Sequence, residues 1–90
     1  MCIYNVMKTL YVYTRNGCGG CNQVKSFLSD LQIPFVELNV DQNRLALEKL
    51  HKDGHQFVPQ IYADDQLLMP GGWKTVKTMR RNEILDRLKY

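Results

Sequence analysis

Cys18-Gly19-Gly20-Cys21 stands where a strand-like run, Leu10-Tyr11-Val12-Tyr13, gives way to a helix-like run over 22–31. Two residues between the cysteines allow the sulfurs to bond if the first cysteine caps the helix and the second lies in its first turn. Cys18 then lies among the free backbone N–H groups at the positive end of the helix dipole. This field favours the thiolate and can lower a cysteine pKa from about 8.5 toward about 7 or below. The order strand, Cys-x-x-Cys, helix therefore predicts a redox-active dithiol.

A structural role for the cysteines is the alternative. A structural zinc site needs four ligands, and only Cys2, His51 and His55 could join the pair. The two histidines lie on either side of Gly54, a predicted helix end, so we do not expect them to share a helical face. A purely structural disulfide is disfavoured, because closing a two-residue loop removes little entropy from the unfolded chain. We therefore expect no metal.

Length and composition predict one small domain over 1–90, with 1–7 as an N-terminal lead. The 90 residues are 44% apolar, which is enough for one hydrophobic core. No run of 18 apolar residues is present to cross a membrane, and no secretory signal is visible. The odd number of cysteines, three, does not fit a secreted disulfide framework, so we expect a reducing, cytoplasmic compartment.

The net charge of +3 is mild, but the cations are concentrated near the end of the chain. The last 17 residues contain Lys74, Lys77, Arg80, Arg81, Arg87 and Lys89. Glu83 and Asp86 are interspersed among them, which is typical of a solvated helix face. No aromatic residues alternate with these cations as in sites that stack bases, so nucleic-acid binding is not expected. An acidic protein partner could be steered by this charge.

The hydrophobic pattern predicts an α/β fold of order βαβαββα, with a four-stranded mixed sheet and flanking helices. The strands are predicted at 9–14, 35–40, 60–63 and 66–69. The second helix is capped by Asp41 or Asn43 and ends at Gly54, and the last helical stretch is broken near Arg81-Asn82. A right-handed crossover pairs the first two strands in parallel, and the last two form an antiparallel hairpin. In the first helix the apolar residues Val24, Phe27, Leu28 and Leu31 follow helical spacing, and the second helix carries Leu45, Leu47 and Leu50. The last helical stretch is expected to face inward with Val76, Met79, Ile84, Leu85 and Leu88.

This order and four motifs resemble the glutaredoxins, small proteins of the thioredoxin fold, over about 8–89. Tyr13-Thr14-Arg15-Asn16-Gly17-Cys18-Gly19-Gly20-Cys21 is similar to the family's Tyr-Ser-Lys-Pro-x-Cys-x-x-Cys segment. Val58-Pro59-Gln60-Ile61-Tyr62 resembles the segment that holds the family's cis-proline. Gly71-Gly72-Trp73 stands where the family carries a Gly-Gly pair, and Asn82-Glu83-Ile84-Leu85-Asp86-Arg87-Leu88 resembles the closing helix.

The resemblance implies a thiol–disulfide oxidoreductase in which Cys18 attacks a substrate disulfide and Cys21 resolves the mixed disulfide. Residues that match the family's motifs are expected to bind the substrate or glutathione: Tyr13, Arg15, Val58, Pro59, Gly71, Gly72 and Trp73. Arg15 is expected to bind an anionic group and to support the thiolate. A cis Val58–Pro59 bond would turn the backbone of Val58 toward the substrate, which could pair with it as a short extra strand.

Two departures from the family's pattern bear on the subfamily. Gly19-Gly20 replaces the Pro-Tyr that is usual in dithiol members. Trp73-Lys74 stands where many glutathione-using members have an acid, which would receive the ammonium of glutathione. An aromatic residue followed by a cation is instead similar to the glutaredoxin-like hydrogen donors of ribonucleotide reductase, which take electrons from thioredoxin reductase. Some phage-encoded glutaredoxins show comparable mixtures.

The resemblance also implies which partners the protein has. A monomer without a bound cofactor is expected, with glutathione as co-substrate or thioredoxin reductase as reductant, and with disulfide-containing proteins such as ribonucleotide reductase as substrates. No nucleic acid or membrane is expected among the partners. Two other functions stay open. Some glutaredoxins that lack the motif's proline share an iron–sulfur cluster between two monomers, and Gly19-Gly20 leaves that route sterically open. A non-catalytic redox sensor is the remaining alternative.

Overall fold

The computed structural model describes residues 7–69 and 71–89. Its elements in chain order are β1 (Leu10–Thr14), α1 (Gly19–Asp30), β2 (Val36–Asn39), α2 (Arg44–Lys52), β3 (Gln60–Ala63), β4 (Gln66–Met69), α3 (Trp73–Val76) and α4 (Arg81–Arg87). The predicted N-terminal lead, except Met7, lies outside the described residues, as does Cys2. Across the described ranges, no helix is long and apolar enough to cross a membrane.

The four strands form one mixed sheet in the order β2-β1-β3-β4. β1 pairs with β2 in parallel, with Val12 opposite Glu37. β1 pairs with β3 in the antiparallel sense, and β3 pairs with β4 in the same way. The predicted parallel start and the predicted closing hairpin are confirmed. β1, which leads into the Cys-x-x-Cys segment, is therefore a central strand held on both edges.

Each face of the sheet is covered by an apolar cluster. The first cluster lies against α1, α3 and α4 and consists of Leu10, Val12, Val24, Leu28, Ile33, Ile61, Ala63, Val76, Met79, Ile84 and Leu88. The second lies against α2 and consists of Tyr13, Val40, Ala46, Leu50 and Tyr62. Alternate side chains of β1 enter different clusters, as the two-residue period of a strand requires. The strand that leads to the cysteines is thus fixed from both faces.

The last helical stretch is divided earlier than the sequence predicts. α3 ends at Val76 and α4 begins at Arg81, so the break lies at 77–80 instead of near Arg81-Asn82. The carboxylate of Glu83 accepts a hydrogen bond from the backbone N–H of Arg80 at 2.9 Å. A glutamate at the third helical position is a typical start signal, and it places the helix start at Arg81. The order of elements is accordingly βαβαββαα.

The structure defines the start and the buried face of α2. The side chain of Asn43 caps this helix by accepting the N–H of Ala46 at 3.1 Å, which decides between the two predicted caps. Ala46 and Leu50, four residues apart, face the sheet. Leu45 lies away from this face and is 77% exposed. Gly54 follows the helix end with φ of +83°, as a helix stop requires.

Candidate redox site

Cys18 caps α1. Its backbone is extended, with φ of −98° and ψ of 107°, and its Sγ accepts the backbone N–H of Cys21 at 3.0 Å. Its carbonyl oxygen accepts the N–H of Asn22 at 3.2 Å, which starts the helical hydrogen bonds. The sulfur therefore occupies the position of a capping oxygen, among the N–H groups at the positive helix end. The first turn of α1 contains no acidic residue to oppose a thiolate.

Cys18 and Cys21 form a disulfide, with their Cα atoms 5.2 Å apart. The two residues differ in exposure, because Cys18 is partly exposed whereas Cys21 is only 1% exposed. An external disulfide can therefore reach the first sulfur and not the second. This asymmetry favours the predicted roles, with attack by Cys18 and resolution of the mixed disulfide by Cys21.

Pro59 is the point at which three chain segments meet. The Val58–Pro59 bond is cis, as predicted, and the Sγ of Cys18 lies 3.9 Å from the carbonyl oxygen of Val58. A Cβ atom on Gly20 would lie 3.5 Å from Cδ of Pro59, an ordinary packing distance. A Cβ atom on Gly72 would lie 2.5 Å from the carbonyl oxygen of Pro59, which no side chain tolerates. Gly72 is thus required by the close approach of its backbone to the site.

Other predicted binding residues surround this centre at different depths. Arg15 is exposed in the loop after β1 and lines a groove together with His51, His55, Phe57 and Val58. On the other side Trp73 is half-buried, and its ring meets that of Phe27 edge to face with 5.7 Å between centroids. Gly71, with φ of +91°, is exposed beside them. The structure thus places Arg15 and Val58 on one groove and Trp73 against α1.

Tyr13 lies in the core and not on an open surface. It is 6% exposed, and its ring centroid is 5.0 Å from that of Tyr62. Burial raises the pKa of its hydroxyl above the usual 10. Direct contact between this side chain and a substrate remains a prediction, and the structure gives Tyr13 a packing role beneath the site.

Phe57 is a surface feature that the sequence analysis missed. Its side chain is 77% exposed although it immediately precedes Val58, whose carbonyl faces Cys18. An apolar residue directly before a Val-Pro pair was the available signal. The exposed ring lines the same groove as Arg15 and Val58.

A polar network that the sequence analysis also missed ties α2 to β3. The hydroxyl of Tyr62 donates to Asp53 at 2.6 Å, and Lys49 forms a salt bridge with the same carboxylate at 3.1 Å. The hydrogen bond from Tyr62 and then that from Lys49 hold the pKa of Asp53 below its usual 3.8. Burial and the neighbouring carboxylate raise the pKa of Tyr62. This network anchors both ends of the loop that carries His55, Phe57 and Val58.

A second network lies along α1. The hydroxyl of Thr14, a residue only 1% exposed, donates to Glu37 at 2.6 Å. Lys25, one helical turn after Cys21, forms a salt bridge with Glu37 at 3.0 Å. The hydrogen bond from Thr14 is the main cause that lowers the pKa of Glu37 below its usual 4.5. The end of β1 and the first turns of α1 are thereby linked to β2.

Side chains that could bind a metal do not cluster in the described part of the chain. Among residues 7–69 and 71–89, no group of three or more His, Cys, Asp and Glu side chains could hold a metal ion. His51 and His55 line the same groove, but His55 packs edge to face on Tyr62 with 6.0 Å between centroids.

Comparison with known proteins connects this geometry to a family. The glutaredoxin family profile matches residues 10–68. The glutaredoxin-like protein NrdH of Lactococcus lactis subsp. cremoris is 39% identical over 54 residues, which cover 60% of this chain and 75% of that protein. Glutaredoxin 3 of Escherichia coli K12 is 36% identical over 61 residues, covering 67% and 74%. The crystal structure of glutaredoxin 1 from Francisella tularensis superposes with a TM-score of 0.65 at 28% identity, over 90% of this chain and 99% of that one.

Proposed function

This chain belongs to the glutaredoxin family, whose members are generally thiol–disulfide oxidoreductases, and we propose that it reduces disulfides of proteins or of glutathione. One observation carries the proposal. Cys18 caps α1 with a partly exposed sulfur, and this sulfur is bonded to the buried sulfur of Cys21. The pair can therefore accept and return two electrons within one helical turn.

The cycle begins with the reduced dithiol. The Cys18 thiolate attacks one sulfur of the substrate disulfide, a new S–S bond forms, and the second substrate sulfur leaves as a thiolate. Cys21 loses its proton to solvent and attacks Cys18, which releases the first substrate sulfur. The substrate has gained two electrons and the protein holds the Cys18–Cys21 disulfide. Two molecules of glutathione, or a flavoprotein reductase, return the dithiol, and no bound cofactor takes part. A reducing cytoplasmic compartment suits this cycle.

Residues around Cys18 provide groups that can bind the substrate during this cycle. The carbonyl of Val58, 3.9 Å from the sulfur of Cys18, offers a hydrogen-bond acceptor to the backbone of a bound substrate. Arg15, on the adjoining groove, offers a cation to a carboxylate. Phe57 offers an exposed ring. Cys18 would thus be approached by a substrate held through its backbone, an anionic group and an apolar contact.

Single cysteine variants test the assignment of roles. Cys18→Ser should abolish disulfide reduction, whereas Cys21→Ser should accumulate a mixed disulfide that mass spectrometry detects after exposure to a disulfide substrate. Reaction with iodoacetamide gives the control, since it should label Cys18 rapidly and the buried Cys21 slowly. Rapid labelling of Cys21 with an inert Cys18 would reverse the roles.

Lys74 favours a second candidate, a dedicated electron donor to ribonucleotide reductase that is itself reduced by thioredoxin reductase. The side chain is exposed two residues after Gly72 and stands where an acid would hold the ammonium of glutathione. The 39% identical relative is a glutaredoxin-like protein NrdH, and not a glutaredoxin by name. Coupling of the oxidised protein to glutathione or to thioredoxin reductase, compared at equal concentrations, distinguishes the two candidates.

A further inference from the structure

The chain from β4 to the start of α4 carries charges of one sign only. Residues 66–82 contain four cations and no aspartate or glutamate. We call these four, Lys74, Lys77, Arg80 and Arg81, the basic segment. All four are exposed. Such a run creates a positive electrostatic field, because it contains no acidic residue that would cancel the charge of its cations.

No cation of the basic segment takes part in a salt bridge among the described residues. Elsewhere the structure shows the salt bridges Lys25–Glu37, Arg44–Glu48, Lys49–Asp53 and Lys89–Asp86. Over 7–69 and 71–89, Lys74, Lys77 and Arg80 make no such bridge, and Arg81 donates to the backbone carbonyl of Leu31 at 2.8 Å. Two carboxylates lie near, Asp30 beside Leu31 and Glu83, which accepts the N–H of Arg80. Among the described residues, neither carboxylate forms a salt bridge with Lys74 or Lys77.

The basic segment begins at the redox site. Gly72, at the start of α3, packs against the carbonyl of Pro59. Trp73 packs against Phe27 of α1. Lys74 follows directly, and Lys77 lies three residues later on the same side of one helical turn. Lys74 thus lies two residues after the glycine that packs against Pro59, and the neighbouring Val58 carbonyl is 3.9 Å from the sulfur of Cys18.

We infer that the basic segment docks acidic residues that flank the disulfide of a polypeptide substrate. This inference rests on the proposed function and names its substrate class. Attraction between the amines of Lys74 and Lys77 and nearby carboxylates raises the rate of encounter and fixes which side of the disulfide faces Cys18. The electrons come from the dithiol as described above, so the docking changes the rate and not the chemistry.

Peptide disulfides of matched sequence test the inference. Three peptides carry the same disulfide flanked by two Glu, two Gln or two Lys, and each is mixed with protein that has been reduced and freed of reductant. Oxidation is followed through Trp73, the single tryptophan. At about 20 mM salt the acidic peptide should react about fivefold faster than the neutral one, and at about 0.5 M salt less than twofold faster, because salt screens exposed charges. A preference that is absent or independent of salt would overturn the inference.

Charge reversal locates the effect. Lys74→Glu/Lys77→Glu should reverse the order, so that the Lys peptide reacts faster than the Glu peptide. Lys52→Glu/Arg87→Glu is the matched control, because it changes the net charge equally at exposed positions elsewhere. Arg87 precedes Leu88, whose carbonyl bonds to Lys8 ahead of β1, at the opposite end of that strand from Cys18. If the control variant also reverses the order, net charge and not the basic segment decides the preference.

A binding measurement separates this inference from the proposed function. In Cys18→Ser/Cys21→Ser the acidic peptide should still change the fluorescence of Trp73, with at least fivefold weaker binding after Lys74→Glu/Lys77→Glu. Binding without any reduction by the wild-type protein would uphold the docking surface and refute the oxidoreductase. Reduction of the neutral peptide with no preference for the acidic one would uphold the oxidoreductase and refute the docking surface. Tighter binding of a single-stranded oligonucleotide of equal charge than of the acidic peptide would assign the surface to nucleic acid instead.

Discussion

Replacement of Gly72 by alanine tests whether the close approach of α3 to Pro59 holds the redox site together. Gly72 has φ of 55° and ψ of −123°, a conformation that residues with a Cβ atom rarely adopt. Its added Cβ would lie 2.5 Å from the carbonyl oxygen of Pro59. Because that oxygen belongs to the backbone, it cannot rotate away as the end of a flexible side chain could. The entry to β3 or the start of α3 must shift.

The expected loss of stability follows from these two costs. Backbone strain of this kind costs roughly 1–3 kcal/mol, and we expect the forced shift to bring the total to about 4 kcal/mol. Alanine also restricts the unfolded chain, which returns about 0.4–1 kcal/mol. The free energy of unfolding should therefore fall by about 3 kcal/mol, or roughly 12–24 °C in Tm for a domain of this size. The rate of disulfide reduction should fall with it, since Pro59 and Val58 move.

Urea denaturation of Gly72→Ala and of a matched variant, Gly54→Ala, measures the effect. Gly54 also has positive φ, +83°, but no neighbouring heavy atom lies within 4 Å of its hypothetical Cβ. Gly54→Ala introduces the backbone strain without the close contact. Its free energy of unfolding should therefore fall by about 1 kcal/mol, and its activity should be unchanged. If Gly72→Ala is no less stable than Gly54→Ala, the close approach to Pro59 is not what requires a glycine.

Three further predictions concern ionisation and the reductant. In Cys21→Ser, the thiolate absorbance of Cys18 should titrate below about 8.5, because the helix start favours the anion, and a midpoint at or above that value contradicts the reasoning. Lys74→Asp should raise activity with glutathione by about tenfold, since it supplies a carboxylate for the ammonium group, and unchanged activity would make Lys74 a simple surface charge. Thr14→Val should lower the free energy of unfolding at pH 7, as measured by urea denaturation. Because the pKa of Glu37 is lowered in the folded protein, its carboxylate stabilises the fold at pH values above the usual pKa of 4.5. This stabilisation is lost as the pH falls through the pKa of Glu37 in the folded state. The difference from wild type should therefore narrow as the pH falls below the usual 4.5, and a constant difference would exclude Glu37 as the cause.

The sequence predicted those features that local patterns determine. Leu10–Thr14 and Gln60–Ala63 are apolar runs bounded by polar or turn residues, and both are strands close to the predicted bounds. The cap by Cys18 follows from the spacing of the pair and the helical period after it. The cis bond before Pro59 followed from resemblance to a family and not from local physics. Patterns of period two and 3.6 thus predicted the sheet and the position of Cys18 at the start of α1.

Features that depend on contacts across the fold were not predictable in this way. The burial of Ala46 and the exposure of Leu45 depend on how α2 packs on the sheet, and the sequence pattern did not assign either of them. The partner of Tyr62, the carboxylate of Asp53, comes from the end of α2 and is fixed only when that helix lies on β3. The exposure of Phe57 depends on the path of the loop between them. An apolar residue or a hydroxyl group has many potential partners until the chain is folded.

The two glycines that face Pro59 serve different purposes. Gly72 is required for space, since any side chain there would meet a backbone oxygen. Gly20 is not, because its Cβ would make an ordinary contact at 3.5 Å with the Pro59 ring and its backbone is helical. The close approach of α3 therefore constrains the site from the substrate side, whereas the spacer between the cysteines remains free to vary. A side chain at residue 20 could therefore be accommodated while the contact between Gly72 and Pro59 stays intact.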